Sequence, residues 1–202
     1  MELLLDGERL SLAAGTETLA QALRLGIETA RSRGLMVVEA TADGQPLDES
    51  VMERGTAATL SLRTAHPGKL ARETLLQAAE TMETVRAHQQ KCGEALGKGD
   101  ESGGIDHLRV ALEGWQMVRD VIDQTRALVG KDWKDVVVFG THGEATVDHA
   151  IEQLAIALKA IKATSEAQDW SGLSDIVMYD MDALAEVFVS LLRALAERAH
   201  QP

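Results

Sequence analysis

Residues 59–85 read TLSLRTAHPGKLARETLLQAAETMETV, and the chain changes texture inside them. Through Leu62 polar and apolar residues alternate, the two-residue period of a strand with one buried face. Beyond His66-Pro67-Gly68 the apolar residues Leu75, Ala78, Met82 and Val85 recur every three or four positions, the period of a helix. The change predicts a domain boundary there, dividing the chain into residues 1–67 and 68–202.

Upstream of the boundary, Leu3-Leu4-Leu5 meets Asp6-Gly7 and then Leu10 and Leu12 in alternation. Asp-Gly supplies the positive φ angles of a tight hairpin turn, so a β-hairpin is predicted. Thr16 is the expected N-cap of a helix whose apolar face is Leu19, Leu23 and Ile27, with Ala22 and Ala30 beside them, closed by Gly34. Leu35 to Val38 reads as a strand leading to a second Asp-Gly at Asp43-Gly44, and Thr59 to Leu62 as the last strand. The predicted order is β-β-α-β-(β)-β.

That order in under 70 residues resembles the β-grasp fold of ubiquitin-like proteins. The turn in LLLDGERL, the helix start GTETLAQAL, the stretch VVEATADGQPL and the closing VMERGTAATLSLRTA are similar to those of small bacterial sulfur-carrier proteins. The resemblance implies a fold. It does not bring the activity with it, because a sulfur carrier works through a free C-terminal Gly-Gly, and here the strand runs on into His66-Pro67-Gly68 and a helix.

Downstream, four helices are predicted, giving an α+β chain in which the β-grasp-like domain precedes an acidic, antiparallel four-helix bundle. The first helix spans about 69–92 and is broken by the glycine-rich stretch 97–104. The second spans about 105–129 on the stripe Leu108, Leu112, Trp115, Val118 and Ile122. Val147, Ile151, Leu154, Leu158 and Ile161 form the seam of the third; Val177, Met181, Leu184, Phe188, Leu191 and Leu195 form that of the fourth. Laying Lys131-Asp132-Trp133 over Gln168-Asp169-Trp170 predicts an internal helical repeat at an offset of 37, with units of about 131–161 and 168–198. On this reading the third helix starts as early as Lys134, Gly140 and Gly143 mark a kink, each Trp pins an inter-helix connection, and Gly99-Asp100 is a degenerate third copy.

Composition narrows the function. The chain carries 32 acidic and 20 basic residues in 202, a net charge of −12, with no basic run. Nucleic-acid and anionic-membrane partners are therefore not expected, since phosphate recognition needs clustered Lys and Arg. The longest apolar stretches are far shorter than a membrane span. The start MELLLDGERL lacks the basic, then apolar, pattern of a signal peptide, and a single cysteine forms no intrachain disulfide, so a cytoplasmic location is expected.

Several segments invite a chemical reading. Gly140-Thr141-His142-Gly143-Glu144 lacks the lysine and spacing of a phosphate loop, and Thr141 with Glu144 reads as a capping box. His142, His149 and Glu152, with Glu144 and Asp148 nearby, form the one imaginable metal site, but carboxylate-bridged helical sites need Glu-x-x-His motifs on facing helices. The only such motif is Glu197 to His200, so these residues are expected on a solvated face. Cys92, beside Lys91 at a helix C-terminus, is expected to be an inert, partly buried thiol. Asp175, Tyr179, Asp182 and Glu186 form a second stripe on the fourth helix, an acidic surface with one aromatic anchor suited to a basic segment of another protein.

No nucleophile, base or cofactor motif emerges. The expectation is a non-enzymatic interaction or adaptor protein without a cofactor, whose helical seams pair either within one chain or across a homodimer. The competing readings are an export-type chaperone for a helical client and a small-molecule or metal-binding enzyme with its site in the 140–152 segment.

Overall fold

A computed structural model describes residues 1–12, 18–130, 132–140 and 143–200. It is a mixed α+β protein, with a small sheet at the N-terminus and a mostly helical remainder. Its two compact units are Met1–Leu70 and Ala71–Pro202. Among the described residues no helix is long and apolar enough to cross a membrane.

In the first unit, strands β1 (Glu2–Leu5), β2 (Glu8–Leu10), β3 (Met36–Ala42), β4 (Gln45–Pro46) and β5 (Thr59–Ala65) form one sheet in the order β2-β1-β5-β3-β4. β1 and β5 run parallel at its centre and the other pairs are antiparallel. The alternation of β1 and β5 puts Leu3, Leu5, Leu60 and Leu62 on one face, at 0–1 % exposure. Helix α1 (Leu19–Ser32) covers that face with Leu19, Ala22, Gly26 and Ala30. Both predicted Asp-Gly turns form, with positive φ at Asp6, Gly7, Asp43 and Gly44. β5 clasps the two turns. The Asp6 carboxylate accepts from the Thr64 amide and hydroxyl, and Asp43 accepts from the Ala58 and Thr59 amides. The Thr64 hydrogen bonds hold Asp6 below the usual carboxylate range.

Three details of this unit correct the expectations. Thr16 lies outside the described residues, and the N-cap of α1 is Thr18, whose side chain accepts from Gln21 N while Gln21 reaches back in a capping box. Thr18 is the threonine with a glutamine three residues on, as that motif requires. The buried stripe is 19/22/26/30: Leu23 is only partly buried at the edge of this core, and Ile27 is exposed, both lining an open concavity. Gly26 explains the rotation, since a Cβ there would lie 2.1 Å from Leu62 Cδ1, so the helix settles with its glycine against the sheet. A short helix α2 (Glu49–Arg54), capped by Asp48, was not anticipated.

The second unit contains α3 (Pro67–Gly97), which begins in the first, then α4 (Glu101–Val129), β6 (Val137–Gly140), β7 (Gly143–Thr146), α5 (Val147–Glu166), α6 (Trp170–Asp175), a π-helical turn (Ile176–Asp180) and α7 (Met181–His200). One core runs through it, with Trp115 and Phe188 meeting edge to face at 4.9 Å and Trp133 almost fully buried. The kink or early helix predicted at 134–146 is instead the hairpin β6–β7, with Val137 opposite Thr146 and Phe139 opposite Glu144. β-Branched residues at 136–138 outweighed the helical reading. The break between α3 and α4 is only three residues, Lys98 to Asp100, and Gly103 and Gly104 lie in the first turn of α4.

The recurrence at 37 residues does not carry into the structure, because 137–140 and 143–146 are paired strands where their counterparts are helical. A different repeat does. Asp100-Glu101-Ser102-Gly103 and Asp169-Trp170-Ser171-Gly172 form the same turn, 69 residues apart from Asp100 to Asp169. Asp100 and Asp169 cap with nearly identical dihedrals (−87°, 77° and −83°, 79°), and each carboxylate accepts from the glycine amide three residues on, at 3.0 Å. The two preceding residues, Gly99 and Gln168, both have positive φ. At either glycine a Cβ would meet its Asp Oδ2 at 2.3–2.4 Å, so the motif needs glycine there.

The buried residues of α4 then find counterparts in the final helix. Gly104 and Leu108 match Leu173 and Val177 at the same offset, while Ala111, Trp115, Val118, Ile122 and Thr125 match Met181, Ala185, Phe188, Leu192 and Leu195 one residue later. The extra residue falls inside the π-helical turn, where Met181 N donates to Ile176 O, a ring one residue wider than the α-helical one. The unit is thus two helix–turn–helix halves, the second carrying one inserted residue.

Candidate docking groove

A groove runs between α5 and α7. At one end a cleft of about 210 Å³ is lined by Gly143, Glu144 and Ala145 of β7, His149, Ala150 and Gln153 of α5, and Leu184 and Val187 of α7. Toward the other end it continues as a cleft of about 320 Å³ that shares Gln153, Leu184 and Val187 and adds Ile156, Ala157, Ala160, Asp180 and Ala183. The sequence placed Leu184 in the core seam, but it is only half buried and forms the groove floor. Core positions beside it are taken by Ala185 and Phe188.

Ile156 lines the groove, Phe139 stands opposite the lining Glu144 in the hairpin, Tyr179 immediately precedes the lining Asp180, and Val137 lies two residues before Phe139 on β6. Phe139 is 77 % exposed, Tyr179 67 %, Ile156 53 % and Val137 44 %. Strand alternation explains the first and last: Val138 turns inward against the core, so Val137 and Phe139 must turn out. At the opposite end, the π-helical turn contains both the exposed Tyr179 and the groove-lining Asp180.

The predicted acidic stripe is divided. Asp175 and Tyr179 are exposed, whereas Asp182 and Glu186 are held by Arg86 of α3. Arg86 donates through Nε and Nη2 to the two Asp182 oxygens at 2.8 and 3.0 Å, and through Nη2 to Glu186 at 3.0 Å. The Asp182 hydrogen bonds raise the guanidinium pKa above its already high value. Two of the four residues therefore tie α7 to α3.

Of the imagined metal ligands, His142 lies outside the described residues, as does Thr141 of the expected capping box. The cap of α5 is Thr146, which accepts from His149 N at 3.2 Å. His149 and Glu152 are exposed, and among the described residues no three His, Cys, Asp or Glu side chains gather as a metal site. Cys92 is fully buried, and desolvation pushes its thiol up to about 11, so it is unreactive at neutral pH.

Sequence reading missed a histidine pair. His88 of α3 and His107 of α4 approach with Nδ1 atoms 3.1 Å apart. That contact needs one ring to donate and the other to accept, so it exists only while at least one ring is neutral. Burial, then His107 and Lys91, lower the His88 pKa from its ordinary 6.5. A lowered histidine pKa means the fold prefers the neutral ring, so its stabilising effect is complete above pH 6.5 and is lost as pH falls through the lowered value. Urea midpoints at pH 7.5 and 5.5 should show this loss in the wild type and a smaller one in His88→Leu; equal losses would remove the pair from the explanation.

A second cleft, of about 200 Å³, lies between α3 and α4 and is lined by Thr81, Thr84, Val85, His88, Val110, Glu113, Gly114 and Met117. It occupies the equivalent place in the first helical half: Thr81, Thr84 and His88 correspond to Ala150, Gln153 and Ala157, and Glu113, Gly114 and Met117 to Ala183, Leu184 and Val187. The groove geometry therefore belongs to the repeated half, while the side chains lining it have diverged.

Comparison with protein-family models, curated proteins and solved structures returned no match, so the functional reading rests on this geometry alone.

Proposed function

We propose that this is a non-enzymatic docking or adaptor protein, built from a β-grasp-like unit followed by a four-helix bundle of α3, α4, α5 and α7, and that it binds another protein through the α5–α7 groove. The observation that carries this reading is the apolar lining of that groove, Ala150, Ala157, Ala160, Leu184 and Val187 with the exposed Ile156, and the exposed Phe139 and Tyr179 opposite or next to its lining residues Glu144 and Asp180. Val137, Phe139, Ile156 and Tyr179 are four of the ten exposed large hydrophobic residues among the described residues, in a chain of net charge −12. Isolated exposed hydrophobics need no explanation, but a cluster rimmed by polar residues marks an interaction surface. Aromatic anchors beside a concave floor are also the usual makings of an interface hot spot.

The test compares the immobilised intact chain with its Leu184→Asp variant in affinity capture from cell lysate, read by mass spectrometry. Leu184 is half buried, so circular dichroism must first show that the variant is folded. The expected result is a protein retained by the wild type and lost from the variant. Identical retained sets would overturn the assignment of the groove.

A further inference from the structure

We infer that the occupant of the α5–α7 groove is a cationic amphipathic helix of a partner protein. This deepens the docking reading above and rests on it. The first argument is charge: the acidic residues lining the groove are Glu144 at the hairpin end, in a cleft shared with His149, and Asp180 at the π-helical end. Neither has an ion-pair partner among the described residues, and no Lys or Arg lines either cleft. A ligand apolar along its middle and basic at its margins would satisfy both carboxylates, whereas an acidic one would meet repulsion at each end.

The second argument is shape. On α5 the lining residues His149, Ala150, Gln153, Ile156, Ala157 and Ala160 recur at helical spacing, and from His149 to Ala160 they extend about 16 Å at 1.5 Å per residue. Alanines at 150, 157, 160 and 183 leave depressions between the larger Leu184, Val187 and Ile156. Bulky side chains of a third helix, spaced three and four apart, fit such a row. Three turns of helix span it.

The third argument is the internal comparison. The equivalent cleft between α3 and α4 has the same backbone setting, but beside Val85, Val110, Gly114 and Met117 it carries Thr81, Thr84, His88 and Glu113 where the groove has Ala150, Gln153, Ala157 and Ala183. Only the second half combines small apolar residues with the hairpin wall and the inserted residue at Asp180. π-Helical insertions are often found at functional sites, and here the insertion lies at the groove's end.

The experiment uses the full chain and three fluorescein-labelled helical peptides of about 14 residues, each with leucines on one face and Lys, Gln or Glu on the other. Anisotropy should show the Leu/Lys peptide binding about tenfold or more tighter than the Leu/Glu peptide. Val187→Glu should abolish binding and Asp180→Asn should weaken it severalfold. Asp123→Asn, which removes the same charge from an exposed site on α4, and Met117→Glu, in the equivalent cleft, should leave it unchanged. Equal affinity for all three peptides, lost in Val187→Glu, would overturn the cationic assignment while leaving the docking groove intact. Failure of every peptide to bind, or binding that survives Val187→Glu, would overturn both. A dimer in sedimentation velocity that Val187→Glu dissociates would identify a second copy as the occupant and overturn this inference.

Discussion

Deleting Tyr179 should leave the helical unit folded, with its melting temperature changed by no more than a few degrees, whereas deleting Val110 should abolish folding. The two residues occupy the same position in the two helical halves, so in an ordinary repeat both deletions would be equally harmful. An α-helix turns about 100° per residue, and removing one residue from α4 would swing everything beyond it by that angle. Trp115, Val118 and Ile122, all at 2 % exposure or less, would leave the core together. Losing one such side chain costs several kcal/mol, so losing three exceeds the stability of an ordinary domain.

The final helix differs because it already contains an extra residue. Its core positions Leu173, Val177, Met181 and Ala185 step by four each time, while Gly104, Leu108, Ala111 and Trp115 step by four, three and four. Removing Tyr179 brings Val177 and Met181 to the spacing of Leu108 and Ala111, and the wide turn closes to an α-helical one without moving Phe188 or Leu192 off the core. Far-UV circular dichroism and thermal melts of the two deletions check this. Equal collapse of both would show that the wide turn is required for folding and that the correspondence between the halves is wrong.

The same repeat shows what could be read in the sequence. The strands of the first unit were legible because a two-residue alternation and two Asp-Gly turns leave little freedom. The long helices were legible from their three-and-four spacing. Asp132-Trp133 and Asp169-Trp170 drew attention because tryptophan is rare, yet only the second pair sits at a helix start. The informative recurrence was the plainer Asp-x-Ser-Gly, whose aspartate caps the helix and whose glycine makes room for that carboxylate. Gly99-Asp100 stood out as a degenerate copy, but the extent of the match was hidden because the inserted residue breaks it after a few positions.

The groove was less legible for a different reason. Leu184 continues the apolar stripe of α7 as regularly as Phe188 does, and periodicity cannot say which member of a wide stripe faces the core and which faces solvent. The insertion decides that by rotating the helix. Likewise, Asp182 and Glu186 read as a free acidic face because Arg86 lies about a hundred residues away in sequence, and nothing local announces the pairing.

Replacing Gln89 by leucine should stabilise the protein by about 2 kcal/mol, raising its melting temperature by roughly 5 °C. Gln89 is 1 % exposed on α3, and neither its amide nitrogen nor its amide oxygen finds a hydrogen-bond partner among the described residues. A buried amide left unbonded forfeits the hydrogen bonds it made to water, a penalty of about 1–3 kcal/mol per group. The repeat indicates what the position accepts, since its counterpart 69 residues on is Leu158, which packs against the same core. Leucine is close to glutamine in volume but branches earlier, so part of the gain is offset by repacking. Gln89→Met preserves the unbranched shape and separates the two effects. If both variants are more stable, the amide is a liability in the fold. If both melt lower than the wild type, its polar atoms are satisfied in solution, and the core around α3 is wetter than its contacts indicate.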